Sequence, residues 1–171
     1  MTPPCVGFFF IKSIMEYARL TKEQFEALHE EFSLFLAAQS IDKREWDRIK
    51  SNKPSLTNEK LDAFSDMVWD DALDKINYLE HRNDHLLFLF KCYDQKIDLI
   101  LIKQTKDCPS FFEENHKNWL IKNIRDDRVS VFESSRDFGA IYKKEIFQLI
   151  QKGAVTTDGS AYEDLKSFLS K

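Results

Sequence analysis

The sequence predicts an α+β fold. Three helices fill the N-terminal half, a β-hairpin and a third strand form a small antiparallel sheet, and short helices close the C-terminus. Three observations carry this. Helix-start signatures, with Ser, Thr or Asp three positions before Glu or Gln, stand at Thr21–Gln24, Asp42–Glu45, Ser110–Glu113 and Ser160–Glu163, and each pair can satisfy two orphan N–H groups of a first turn. The stretch HLLFLFKCYDQKIDLILIKQT sets two short apolar runs around a polar YDQ cluster, as a hairpin does. RDDRVSVFESS alternates apolar and polar residues, the period of a strand with one buried face.

Taken in order, Thr21 starts a helix reaching about Gln39, with Leu20 stapled onto Phe25 and a stripe of Phe25, Leu28, Phe32, Phe35 and Leu36. Asp42 starts a shorter helix carrying Trp46 and Ile49, which SNKP ends because the residue before a proline avoids helical geometry. Thr57 caps a third helix to about Glu80, whose Leu61, Phe64, Val68, Ala72, Ile76 and Leu79 share one face. The stretch after it is also compatible with one long helix through Leu86, Leu89, Phe90, Tyr93, Ile97, Ile100 and Leu101, which would make the protein all-α. The short runs, the polar interruption and the isoleucines favour the hairpin. Ser110 caps a helix FFEENHKNWLIKNI, and Val129 and Val131 mark the third strand with Phe132 out of phase. IYKKEIFQLIQK is a helix stopped by Gly153, and Ser160 caps the last one, AYEDLKSFLS.

With 171 residues, 43% hydrophobic, 32% charged, 4 Gly and 4 Pro, the chain has the composition of a globular protein and the length of one domain. A net charge of -4 gives no general attraction to phosphate backbones; nucleic-acid binding would need Lys117, Lys122, Arg125, Lys143 and Lys144 gathered on one side. Cys5, Cys92 and Cys108 show no regular spacing and are odd in number, so they read as reduced thiols of a cytoplasmic protein.

The chain opens MTPPCVGFFFIKSIM. No Lys or Arg precedes the apolar run from Val6 to Ile11, which is too short for an export signal and far below the ~20 residues that span a bilayer. It is either a short edge strand or a run of residues upstream of a functional start at Met15.

No GxSxG, glycine-rich phosphate loop or Cys–His signature occurs, and no cofactor is expected. The nearest approach to a ligand or metal set is His81, His85 and Cys92, which lacks an HExxH glutamate and a second cysteine. His29 and His116 read as packed or surface residues, although His81, His85 or His116 beside carboxylates could serve a pocket that forms only in the fold.

The third helix offers a partner surface. Glu59, Asp66, Asp70 and Asp74 fall within a narrow arc opposite the apolar stripe, and Trp69 and Leu73 lie on its flank. Stacked carboxylates repel unless something answers them, and an aromatic anchor rimmed by acids suits a docking site. The leading expectation is therefore a non-enzymatic interaction or accessory module whose partner is another protein. An enzyme or small-ligand-binding protein is the alternative.

MEYARLTKEQFEALHEEFSLFLAAQSIDKREWDRIK and LDAFSDMVWDDALDKINYLEH resemble an uncharacterised family of small cytoplasmic bacterial proteins, a domain of unknown function. The resemblance begins at Met15. It implies a single domain over 15–171, with residues 1–14 a non-conforming, disordered extension, and it brings no activity, cofactor or site residues.

Overall fold

A computed structural model describes residues 15–170; the expectation for residues 1–14 lies outside them. The chain divides into two compact units, with the boundary between Asp71 and Ala72.

The first unit is helical: α1 (Lys22–Ala27), α2 (His29–Ala38), α3 (Lys43–Asn52) and most of α4 (Pro54–Asp74). The Thr21–Gln24 box forms in both directions, with Thr21 N–H donating to Gln24 Oε1 (2.8 Å) and Gln24 N–H to Thr21 Oγ1 (3.3 Å). The single helix expected from Thr21 to Gln39 instead breaks at Leu28, whose φ of -105° and ψ of 27° leave the helical region. The His29 ring caps the Glu26 carbonyl there. Asp42 caps α3 as expected, accepting from Glu45 N–H at 2.8 Å. The start of α4 is Pro54 and not Thr57, because proline loses nothing at a position whose N–H is orphaned. The Thr57 hydroxyl donates back to the carbonyls of Lys53 and Ile49. Phe64, fully buried, packs against Phe32 at 5.0 Å, Phe35 at 5.4 Å and Phe25 at 5.7 Å between ring centroids. Trp46 meets Phe32 edge-on, so the core of this unit is an aromatic cluster.

The second unit holds an antiparallel sheet in the order β4-β3-β2-β1-β5, from β1 (Tyr78–Arg82), β2 (Leu86–Tyr93), β3 (Lys96–Gln104), β4 (Val129–Asp137) and β5 (Val155–Thr156). The hairpin is β2–β3, and the all-helical alternative falls. Its two-residue turn has Asp94 and Gln95 at φ 48° and 62°, the left-handed pair whose twist matches that of the flanking strands. Strands β1 and β5 are additions to the expected set. The third helix ends at Asp74, short of the expected Glu80; Leu79 is buried because it pairs with Phe90 across β1–β2.

Helices α5 (His116–Asn123), α6 (Tyr142–Gln151, led by a 3-10 turn) and α7 (Ser160–Leu169) complete the unit. Glu113 Oε1 accepts the Ser110 N–H at 2.9 Å, but the Ser110 hydroxyl donates to Asp84, so the helix expected from that box starts only at His116. Gly153, at φ 97°, closes α6 with Gly153 N–H on the Ile150 carbonyl and Ala154 N–H on that of Leu149, the paired C-terminal arrangement that glycine permits. The box expected at Ser160 does not form. Gly159 is the cap, Asp158 accepts the Ser160 N–H, and Glu163 turns instead to the Tyr78 hydroxyl at 2.7 Å and Lys91 Nζ at 2.6 Å.

One face of the sheet supplies Leu89, Ile100, Ile102 and Val129 to a core shared with Phe111, Leu120, Ile124 and Tyr162. His81, Phe88, Phe90, Cys92 and Ile97 alternate onto the opposite face. Among the described residues no helix is long and apolar enough to cross a membrane.

Candidate functional site: a cleft beside His116

Strands β1–β3 and helices α5 and α7 enclose a cleft of about 360 Å³. Leu87, Leu89 and Ile102 come from the strands, Leu120 and Ile124 from α5, and Leu165 and Phe168 from α7. These residues are apolar because the sheet face and both helices bury toward one core, and the cleft is where that core opens. Glu80, Arg82, Glu113, Glu114, Lys117 and Asp164 are the charged residues lining it.

His116 is the polar residue set deepest, only 5% exposed. Its ring lies 4.2 Å from that of Phe111 and 5.8 Å from that of Trp119. Gln104, itself buried, donates its amide N–H groups to the carbonyls of Asp84 (3.3 Å) and Pro109, which leaves its Oε1 as the acceptor facing His116 at 2.9 Å. Nε2 of His116 therefore carries the proton and donates, and Nδ1 is the acceptor of the ring. Burial holds the imidazole below its ordinary pKa, as does the nearby Arg82, while Glu113 acts the other way. A neutral His116 is thus locked in one tautomer at the edge of an apolar space.

A second, larger groove of about 520 Å³ is lined by Lys75, Asn77, Tyr78, Lys91, Tyr93 and Thr156, among others. Lys91 is committed there to Glu163 and lies 5.7–5.9 Å from the ring centroids of Tyr78, Tyr93 and Tyr162. The bond to Glu163 holds Lys91 above its usual range, and the same contact holds Glu163 below its own. These groups already answer one another, and the apolar cleft is the better candidate.

The residues singled out from the sequence are dispersed. Asp66 accepts the N–H groups of Glu16 (2.9 Å) and Tyr17 (3.0 Å), the Trp69 indole donates to the Ala18 carbonyl at 2.9 Å, and Asp70 accepts from the Tyr17 hydroxyl. Arg19 reaches Asp62 and Asn58, and Leu20 N–H reaches Ser65. The acidic side of α4 is thus lined by the chain's own residues 16–20. Glu59 is exposed, Leu73 is buried, and Asp74 pairs with Lys143 at 2.8 Å.

His81 lies opposite Phe88 on the sheet and Gly153 approaches its ring, whereas His85 precedes β2 and its buried Nδ1 has no hydrogen-bond partner among the described residues. Cys92 stands at the other end of β2, paired with Ile97. The seven residue steps from His85 to Cys92 span roughly 23 Å of extended chain, so these three residues do not converge. Among the described residues no cluster of His, Cys, Asp and Glu could hold a metal ion. The Cys92 thiol is pushed up to about 12 by burial, which quiets it as a nucleophile. Of the basic residues, Lys117 pairs with Asp164, Lys143 with Asp74, and Arg125 lies over the Phe168 ring.

A family model described as a family of unknown function, DUF6495, matches residues 15–170. The chain belongs to that family. The match begins at Met15, where the sequence resemblance begins, and it takes in every residue lining the cleft. No curated protein and no solved structure is significantly similar to the chain.

The sequence reading names His116 only as one of three histidines beside a prospective pocket, and it misses Gln104, Arg82 and the α7 residues. One signal was available. Gln104 ends an isoleucine-rich strand on the same alternation as Ile100 and Ile102, which places a polar group on the buried face and calls for a buried partner.

Proposed function

We propose that the protein is a binding module whose site is the cleft beside His116, and that it takes a compact apolar group. The carrying observation is a largely apolar space of about 360 Å³ with a charged rim, into which His116 is set with its ring fixed by Gln104 behind it. Ligand sites have this composition, mostly hydrophobic walls with a few oriented polar groups, at volumes upward of about 300 Å³. Neutral decanol is a suitable probe: calorimetric titration gives measurable binding to the native chain and none to Ala161→Trp, in which an indole occupies the cleft. Equal binding to both chains would remove the cleft from consideration.

A protein partner inserting an apolar side chain into the same cleft is the second reading. Phe112 and Ile121, 62% and 53% exposed, favour it, because Ile121 lines the cleft and Phe112 is stacked beneath Arg82, a lining residue. Charge reversal at Asp66, Asp70 and Asp74, read by affinity purification, separates this site from the acidic side of α4. An unchanged set of partners excludes the α4 surface.

A further inference from the structure

The charges lining the cleft are unequal. Glu80, Glu113, Glu114 and Asp164 stand against Arg82 and Lys117. Arg82 Nε lies 3.4 Å from Glu80, and Lys117 Nζ lies 3.2 Å from Asp164, so both cations are already answered by carboxylates of the same lining. Glu113 and Glu114 remain in excess. Among the described residues the Glu113 carboxylate accepts one hydrogen bond, the backbone N–H of Ser110 at 2.9 Å, which orients it without cancelling its charge, and no cation pairs with it or with Glu114. His116 does not redress the balance, since its single N–H is spent on Gln104 and its other ring nitrogen is a lone-pair acceptor. A carboxylate or phosphate head entering the cleft would meet two carboxylates that no cation among the described residues answers, and that lone pair, with both cations engaged. An ammonium head would meet attraction at each of these points.

We propose that the occupant of the cleft is an amphipathic cation, with an alkyl or aryl body among Leu89, Ile102, Leu120 and Phe168 and an ammonium group beside Glu113 and Glu114. This rests on the ligand-binding reading above and names its substrate class.

The test uses three probes with the same chain length, decylammonium, decanol and decanoate, titrated calorimetrically into the full chain at low ionic strength. Decylammonium binds roughly tenfold tighter than decanol, and decanoate more weakly than either, as expected for two carboxylates at the mouth of a water-facing cleft. Raising the salt to about 0.5 M narrows the spread, because the charges are solvent-accessible. The double substitution Glu113→Gln with Glu114→Gln, which keeps the acceptor for Ser110 N–H, brings decylammonium to within roughly threefold of decanol. Decanoate binding as tightly as decylammonium, with decanol still bound, overturns the cationic class and leaves the apolar cleft standing. No binding of any of the three overturns both. The salt series on the unmodified chain decides the point should the double variant fail to fold.

Discussion

Replacing Gly159 by alanine should be among the most damaging single-methyl changes in the second unit. Gly159 sits at φ 81°, a left-handed conformation that costs an L-residue roughly 1–2 kcal/mol. A Cβ there would also stand 2.5 Å from Cγ and Cε2 of Tyr78, and closer still to Cδ2, so the ring must leave its place. Tyr78 donates its hydroxyl to Glu163 at 2.7 Å, and losing that bond removes a further ~1 kcal/mol. Together these give a loss of about 2–3 kcal/mol, and the damage falls where α7 is anchored to β1, hence on one wall of the cleft. Urea unfolding of Gly159→Ala, Tyr78→Ala and the double variant measures it. Without the Tyr78 ring the alanine should cost only its backbone strain, about 1–2 kcal/mol, so the two changes are coupled. A loss below about 0.5 kcal/mol for Gly159→Ala, or strict additivity in the cycle, would refute the close-approach argument.

Three further outcomes follow from the same geometry. Asp66→Ala removes the acceptor of two backbone N–H groups and should cost about 1–2 kcal/mol, with hydrogen exchange accelerated at the amides of Glu16 and Tyr17; unchanged exchange there would contradict the intramolecular role of this carboxylate. His116 has a folded pKa below its unfolded one, so the unfolded chain takes up the proton first. Its contribution is complete above the unfolded pKa of about 6.5 and is lost as pH falls below it, at up to about 1.4 kcal/mol per pH unit. His116→Gln should flatten this part of the profile, and nitrogen NMR of the imidazole should show the proton on Nε2 at neutral pH. Cys92, pushed up to about 12 by burial, should resist iodoacetamide in the folded protein and react on unfolding, as read by mass spectrometry of its peptide.

The parts of the fold legible in the sequence are those written in local chemistry. Thr21 with Gln24, Asp42 with Glu45 and Gly153 act within one turn of where they stand, and the hairpin is announced by two short apolar runs around Asp94 and Gln95. The errors arise where distant partners override local pattern. Leu79 keeps the helical period of α4 yet is buried by strand pairing with Phe90. The hydroxyl of Ser110 is drawn to Asp84, and Glu163 is drawn from its expected capping place by Lys91 and Tyr78. The acidic arc of α4 looks unanswered because nothing local shows that residues 16–20 run along it. The cleft is the extreme case: its lining runs from Glu80 to Phe168, and no periodicity joins strands β1–β3 to helices α5 and α7.

Binding in the apolar cleft beside His116 can be read residue by residue. The measurement is methyl NMR of chain labelled at leucine and isoleucine, titrated with decylammonium. The methyls of Leu87, Leu89, Ile102, Leu120 and Leu165 should shift first and saturably, while those of Leu36 and Ile49 in the first unit stay in place. Shifts confined to the first unit, or spread evenly without saturation, would contradict binding in the cleft.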